Sequence, residues 1–184
     1  MPPVITFIGW HNSGKTTFAR QVVAHLKDKG YTVAVIKSTK EQGIEVDQPE
    51  TDTGLYKQAG ADGVALLAPD QLVVQRKPTG LDLLPLAQLL FPEVDIVIAE
   101  GFKHAMDVLK IEVRRDQEAP LLLDRVAGVI ALATDLPLTD GQCFGLDQSR
   151  EVADFIETQL LTCQDKETVT NDLVNSSRKQ GRTG

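Results

Sequence analysis

The sequence predicts an α/β fold with a mostly parallel sheet, and three observations support this prediction. A short apolar run at 4–8 (VITFI) indicates a buried strand, and it ends at a glycine-rich stretch. A helical pattern follows, and YTVAVIK at 31–37 is a second buried run. Strand, loop, helix and strand in this order make a βαβ unit, whose crossover requires parallel strands.

The remaining elements follow in chain order. An apolar stripe from Phe18 to Leu26 has helical spacing and is closed by Gly30, which indicates the first helix. Residues 38–56 are polar with little periodicity, which predicts a long loop. The later elements are a hairpin of the runs 63–68 and 71–76, a short helix at 81–90 that Pro85 could bend, strands at 94–101, 109–115 and 128–135, and an amphipathic helix at 149–161.

Length and composition indicate an ordinary soluble protein. The chain has 184 residues, 42% of them hydrophobic, and we expect one nucleotide-binding domain at 1–164 and a polar, disordered tail at 165–184. The net charge of −7 argues against binding to nucleic acid or to an anionic membrane surface. No apolar run approaches the roughly 20 residues of a membrane helix, so we expect a cytoplasmic protein. Cys143 and Cys163 lie outside any metal-ligand spacing.

The stretch GWHNSGKT at 9–16 matches the phosphate-loop pattern G-x4-G-K-[ST] at every fixed position. Gly9 and Gly14 let the chain wrap around phosphates with its backbone N–H groups pointing inward. Lys15 is predicted to reach the β- and γ-phosphates, and the Thr16 hydroxyl to bind Mg²⁺. The sequence therefore predicts a P-loop NTPase-type three-layer domain with an added β-hairpin.

Four residues, 10–13, occupy the variable part of this loop. His11 and Asn12 are candidate phosphate contacts, although for His11 a solvent-facing position is favoured over contact with a phosphate or a second molecule. Trp10 is the only tryptophan in the chain, so its fluorescence is expected to report nucleotide binding.

The run VDIVIAEG at 94–101 offers two carboxylates. Ligands of a parallel sheet collect at the carboxyl edge, where Glu100 lies, so Glu100 is assigned to Mg²⁺. Asp95 lies at the other end of the strand, and we expect it to cap or to face solvent. Gly101 permits a sharp turn, after which Lys103 could stabilise phosphate charge, contact a partner or lie in water.

Base recognition could involve Asp135, which ends the run at 128–135. An Asp after a later buried strand can accept two hydrogen bonds from the guanine edge, but the Asn-Lys of the usual N-K-x-D signature is absent. The alternative is that Asp135 caps the turn before Leu136. The residues alone leave both roles open.

Six stretches carry a resemblance to a known family: FIGWHNSGKTT, VAVIKSTK, EVDQPETDT with QAGA, VDIVIAEGFK, LKIEVRR and ALATDLPL. Over residues 4–160 they make the chain similar to the MobB family of molybdopterin-guanine dinucleotide biosynthesis adaptor proteins. The most specific parts are EGFK after the third strand, the DxP…DT loop followed by QAGA, and KIEVxR.

The resemblance implies a homodimer that binds GTP and Mg²⁺, with weak GTPase activity at most. Such a protein would assist the guanylyltransferase that joins GMP to molybdopterin, and molybdopterin or its dinucleotide could contact it. Carried over by position, the phosphates and Mg²⁺ would be held by Gly9, Ser13, Gly14, Lys15, Thr16 and Thr17. The rest of the site would be lined by Lys37, Asp47, Asp52 and the stretch Glu100, Gly101, Phe102 and Lys103.

Several alternatives concern the surroundings of this site. In the loop at 38–56, Asp47 and Asp52 could bind Mg²⁺ or position water as a switch, or could be ordinary turn residues. The histidine-rich stretch that commonly follows the second strand in this family is replaced here by STKE at 38–41. A basic pocket for a pterin could form around Lys103, Lys110 and Arg114.

Two further expectations concern activity and assembly. A small-molecule kinase would use the same phosphate loop and acid, although the arginine pair at 114–115 does not resemble a lid. The predicted hairpin presents unpaired strand edges, and a second subunit could extend the sheet there.

Overall fold

The computed structural model describes residues 1–44, 48, 50–77, 80–137 and 141–162. They form two compact units: the first joins Met1–Ser38 to the chain from Leu83 onward, and the second is Thr39–Asp82. The predicted boundary at 164, the predicted tail, Asp47 and Cys163 lie outside the described residues. Among the described residues, no helix is long and apolar enough to cross a membrane.

Every helix and strand that the sequence predicts is present, in the predicted order. The strands are β1 (Val4–Ile8), β2 (Val33–Lys37), β3 (Gly63–Leu67), β4 (Leu72–Arg76), β5 (Ile96–Glu100), β6 (Leu109–Val113), β7 (Val129–Ala133) and β8 (Cys143–Phe144). The helices are α1 (Lys15–Asp28), α2 (Asp52–Gln58), α3 (Leu83–Leu90) and α4 (Ser149–Ile156), and a π-helical turn at Glu157–Leu161 continues α4.

The first unit is a six-stranded parallel sheet in the order β2-β5-β1-β6-β7-β8. The second unit contains α2 and the antiparallel hairpin of β3 and β4, in which Leu67 pairs with Leu72. The predicted α/β class, parallel sheet and added hairpin are therefore confirmed. The short strand β8 was not predicted, because two residues are too few to produce a recognisable apolar pattern.

Helices cover both faces of the sheet, which confirms the predicted three-layer arrangement. On one face Ile5 and Phe7 are completely buried in a cluster with residues of α1 and α4, including Phe18, Val22, Val152 and Ile156. On the other face Val4 and Val97 pack with Leu83 and Ala87 of α3. Because β1 is buried along its whole length, the loop that follows it is anchored by the core.

Two predicted details are wrong. The predicted loop at 38–56 ends early, because α2 begins at Asp52. Thr51 caps this helix, since its Oγ1 accepts a hydrogen bond from the Gly54 N–H at 3.1 Å. The helix predicted at 81–90 begins at Leu83, so Pro85 lies in its first turn, where a missing N–H costs no intrahelical hydrogen bond.

Candidate functional site

The phosphate loop connects β1 to α1 at the carboxyl edge of the sheet. Gly14 has a φ of 87° and Asn12 a φ of 60°, so the loop passes through the left-handed region twice. A Cβ added at Gly9 would lie 2.3 Å from the Val113 carbonyl oxygen and 2.6 Å from Ser13 Oγ. Glycine is therefore required at position 9 by the close approach of β6 to the loop.

The ammonium group of Lys15 lies over this loop. Lys15 Nζ donates a hydrogen bond to the Trp10 carbonyl oxygen at 2.7 Å and another to Ser13 Oγ at 3.4 Å. Burial lowers the pKa of Lys15, Glu100 opposes that shift, and the nearby Lys37 adds to it. Ser13 is itself buried. An anionic ligand would favour the charged form of Lys15, which burial disfavours.

Three side chains from separate elements meet beside the loop. Lys37 and Glu100 are paired at the ends of β2 and β5, and Lys37 Nζ lies 3.3 Å from Glu100 Oε1. Thr16, in the first turn of α1, donates its hydroxyl to the same Glu100 oxygen at 2.7 Å. The structure thus brings together the two residues predicted to bind Mg²⁺.

This arrangement fits a magnesium ion that is shared with phosphates. Among the described residues, no three His, Cys, Asp or Glu side chains are close enough to hold a metal by themselves. Mg²⁺ is usually bound through one or two carboxylates together with substrate phosphates and water. The Thr16 hydroxyl and the Glu100 carboxylate are oxygen ligands of this kind.

The turn after β5 contains two consecutive residues with a left-handed backbone conformation. Gly101 and Phe102 both have positive φ, 96° and 48°, and Thr6 Oγ1 donates to the Gly101 carbonyl oxygen at 2.8 Å. This turn places Lys103 Nζ 5.3 Å from the centroid of the Trp10 ring, a cation–π contact. The roles considered for Lys103 were binding phosphate charge, contacting a partner and lying in water. The structure shows none of these directly, and shows instead the contact with Trp10.

Trp10 is also held by the connector between β6 and β7. Its indole Nε1 donates to the Pro120 carbonyl oxygen at 2.8 Å. The connector is held by Glu112 of β6. This completely buried carboxylate accepts hydrogen bonds from the Leu122 and Leu123 N–H groups. The environment of Trp10 therefore depends on the phosphate loop, the β5 turn and this connector together.

The basic pocket suggested around Lys103, Lys110 and Arg114 does not form. Lys110 is 2% exposed and donates to the carbonyl oxygens of Ala105 and Val108, and its burial lowers its pKa. The guanidinium of Arg114 is committed to the carbonyl oxygens of residues 116, 117 and 119. Both cations stabilise backbone turns and are not available to a ligand.

The two aspartates with alternative roles have structural partners. Asp95 accepts hydrogen bonds from the Thr32 hydroxyl and N–H, both at 2.7 Å, which lower its pKa and confirm the expected capping role. Asp135 follows β7 and accepts from the Leu146 N–H at 2.8 Å. The turn at Leu136 is capped instead by Thr134, whose Oγ1 accepts the Leu136 N–H at 3.1 Å. The contact of Asp135 with guanine stays a prediction.

The other predicted site residues are exposed. His11, Asn12 and Thr17 lie in the phosphate loop or the first turn of α1. Asp52 begins α2 in the second unit, so its expected switch role stays a prediction.

Sequence reasoning missed Arg115, whose guanidinium lies against Gly14. Its place just beyond β6, next to β1 in the sheet, is the signal that could have identified it.

Comparisons with known proteins agree with this fold. A family model described as MobB, Molybdopterin guanine dinucleotide synthesis protein B, matches residues 4–135. The chain is 30% identical over 165 residues to the molybdopterin-guanine dinucleotide biosynthesis adapter protein of Escherichia coli (strain K12), covering 85% of this chain and 92% of that protein. It is also 30% identical over 162 residues to the adapter protein of the same name from Haemophilus influenzae, covering 86% and 89%.

Solved structures are similar as well. The crystal structure of Bacillus subtilis MobB is 26% identical and superposes with a TM-score of 0.65, covering 86% of this chain and 98% of that one. A MobB protein homolog from Bacillus stearothermophilus has a TM-score of 0.66 at 22% identity, covering 86% of this chain and 98% of that one. This second similarity supports the fold alone.

Proposed function

The chain belongs to the MobB family, and on that premise we propose that it is a GTP-binding adapter of molybdopterin guanine dinucleotide biosynthesis. Its partner would be the guanylyltransferase that joins GMP to molybdopterin, and it would work in the cytoplasm. The observation that carries the proposal is the meeting of Thr16, Glu100 and Lys37 beside the phosphate loop.

In this proposal the loop binds the phosphates and the cluster binds the metal. Backbone N–H groups from Gly9 to Thr17, together with the N-terminus of α1, would surround the phosphates. Lys15 would turn from the Trp10 carbonyl oxygen to the β- and γ-phosphates. The side chains of Thr16 and Glu100 would hold Mg²⁺, which would neutralise part of the phosphate charge.

Guanine preference is proposed to rest on Asp135. One of its oxygens accepts the Leu146 N–H, but a carboxylate has about four acceptor sites. The bond to Leu146 therefore fixes the side chain and leaves acceptors for the N1 and N2 groups of guanine. Molybdopterin contact through Lys110 or Arg114 is not part of the proposal, because both are committed to backbone carbonyls.

A small-molecule kinase was the alternative function, and family membership does not favour it. Adapters named for dinucleotide biosynthesis are the relatives found. We expect hydrolysis to be slow, because an adapter does not need turnover.

A titration with GTP and ATP in the presence of Mg²⁺ tests the proposal. Trp10 lies in the loop and contacts Lys103 and the connector at Pro120, so its fluorescence is expected to change on binding. Hydrolysis is measured in the same samples. We expect saturable binding with a clear preference for GTP and turnover far below a typical enzyme's roughly 10 per second. Preference for ATP, or turnover stimulated by a small acceptor, would support the kinase instead.

The second unit suggests how two chains associate. In the hairpin, cross-strand pairing places Ala65, Leu67, Leu72 and Val74 on one face. Three of them are large and well exposed, Leu67 at 80%, Leu72 at 62% and Val74 at 56%. A two-stranded hairpin is marginal by itself and has two unpaired edges. The proposed homodimer covers this face, the hairpin face, with the hairpin of a second copy.

A further inference from the structure

Arg115 is a cation at the phosphate loop to which neither the G-x4-G-K-[ST] motif nor the proposed function gives a role. A Cβ added at Gly14 would lie 2.9 Å from both Cζ and Nε of Arg115 and 3.2 Å from Nη2. Because a Cα–Cβ bond is about 1.5 Å long, the guanidinium lies within about 4.4 Å of the Gly14 Cα atom. Gly14 immediately precedes Lys15, where the loop becomes α1.

The sheet explains this proximity. The strand β6 runs parallel to β1, with Glu112 opposite Ile8, and Arg115 follows three residues later. The carboxyl ends of the two strands therefore bring Arg115 to the loop that follows β1. The Val113 carbonyl oxygen, which approaches Gly9, is a second contact between the same two segments.

The two neighbouring arginines are used differently. Arg114 is 8% exposed and donates three hydrogen bonds to backbone carbonyls of the connector. Arg115 is exposed, and within the described part of the chain its guanidinium has no hydrogen bond or ion pair. A guanidinium presents five N–H donors in a planar fork, so all of them are available to a ligand.

The charges around the loop favour an anion at this place. Lys15 and Lys37 both lie near Glu100. One negative carboxylate therefore faces two positive ammonium groups. Arg115 adds a third cation next to the loop, although the chain as a whole carries a net charge of −7. The planar fork of arginine matches two oxygens of one phosphate, which a lysine cannot do.

Gly14 also fits this role. Its φ of 87° disfavours any side chain, and a side chain there would displace the guanidinium. Glycine at this position thus leaves room for Arg115 against the backbone of the phosphate loop.

We propose that Arg115 is a phosphate-binding residue, donating from the β6 side of the loop to the phosphate chain of a bound guanosine di- or triphosphate. This inference rests on the proposed nucleotide binding. Lys15 and Arg115 would hold the phosphate chain together, with Mg²⁺ on the side of Thr16 and Glu100.

The test compares Arg115→Gln, Arg115→Lys and Arg20→Gln with the wild type by calorimetric titration of GTP and GDP with Mg²⁺. Arg20 is exposed on α1, five residues beyond Lys15, so Arg20→Gln removes the same charge without touching the loop. We expect Arg115→Gln to weaken binding of both nucleotides on the order of 10- to 100-fold. Arg115→Lys should restore part of the loss, because it keeps the charge but not the fork.

The thermal unfolding midpoint, measured without nucleotide, separates binding from folding. We expect all three variants to unfold within about 2 °C of the wild type, because exposed substitutions change stability little. Affinities of Arg115→Gln within twofold of Arg20→Gln would overturn the assignment of Arg115, as would a loss of affinity accompanied by a large drop in the midpoint. A wild type that binds neither nucleotide would instead contradict the proposed function.

Discussion

Replacing Lys15 with alanine is expected to weaken GTP binding by about 100-fold or more. The ammonium group is predicted to donate charge-assisted hydrogen bonds to the β- and γ-phosphates, and each such bond contributes roughly 1.5–3 kcal/mol. Lys15 already lies over the loop, with Nζ 2.7 Å from the Trp10 carbonyl oxygen. Calorimetric titration with GTP and Mg²⁺ measures the loss.

The fold should tolerate this change. Burial lowers the pKa of Lys15, which means that the folded state disfavours its charged form, so removing the charge has little cost in unfolding free energy. Lys27→Ala is the matched control, since Lys27 is an exposed lysine near the other end of α1. Equal GTP affinity in Lys15→Ala and Lys27→Ala would show that this loop does not bind the phosphates.

Charge placed on the hairpin face is expected to separate the proposed homodimer. Val74→Lys and Leu67→Lys each put an ammonium group among apolar side chains that would be covered in the dimer. Burying an unpaired charge is costly, and we expect the dimer dissociation constant to rise on the order of 100-fold. Light scattering over a concentration series measures this shift directly.

A lysine elsewhere on the hairpin serves as the control. Gln71 is exposed beside the tip, where its carbonyl oxygen accepts the Ala68 N–H. Gln71→Lys adds the same charge away from the hairpin face and should leave the dimer intact. A wild type that is monomeric at working concentrations would contradict the proposed assembly. A dimer that survives Val74→Lys and Leu67→Lys would show that another surface joins the chains.

The sequence was informative where local pattern and chemistry coincide. The run before Gly9 predicted β1, and the fixed spacing of the phosphate loop predicted where α1 begins. Glu100 could be assigned because it ends a buried strand, and the carboxyl ends of parallel strands share one edge. The contact between Thr16 and Glu100 is the consequence of those two local patterns.

The sequence was misleading where distant segments decide a side chain's role. Lys110 and Arg114 were considered for a ligand pocket, but the connector and the turn before β6 bury them and use their donors. The KIEVxR stretch fixes Arg115 and leaves Arg114 variable, but the role of Arg115 depends on its meeting Gly14 across the sheet. The helix α2 was missed because its cap, Thr51, and its first residues are polar like the loop that precedes them.

Size-exclusion chromatography of this chain together with the guanylyltransferase, in the presence of GTP and Mg²⁺, tests the proposed adapter role. The guanylyltransferase is taken from the same organism, and the eluted fractions are assayed for conversion of molybdopterin to its guanine dinucleotide. We predict that the chain co-elutes with the enzyme and raises the yield of dinucleotide, and that Lys15→Ala gives a smaller increase. Separate elution with an unchanged yield of dinucleotide would contradict the adapter role.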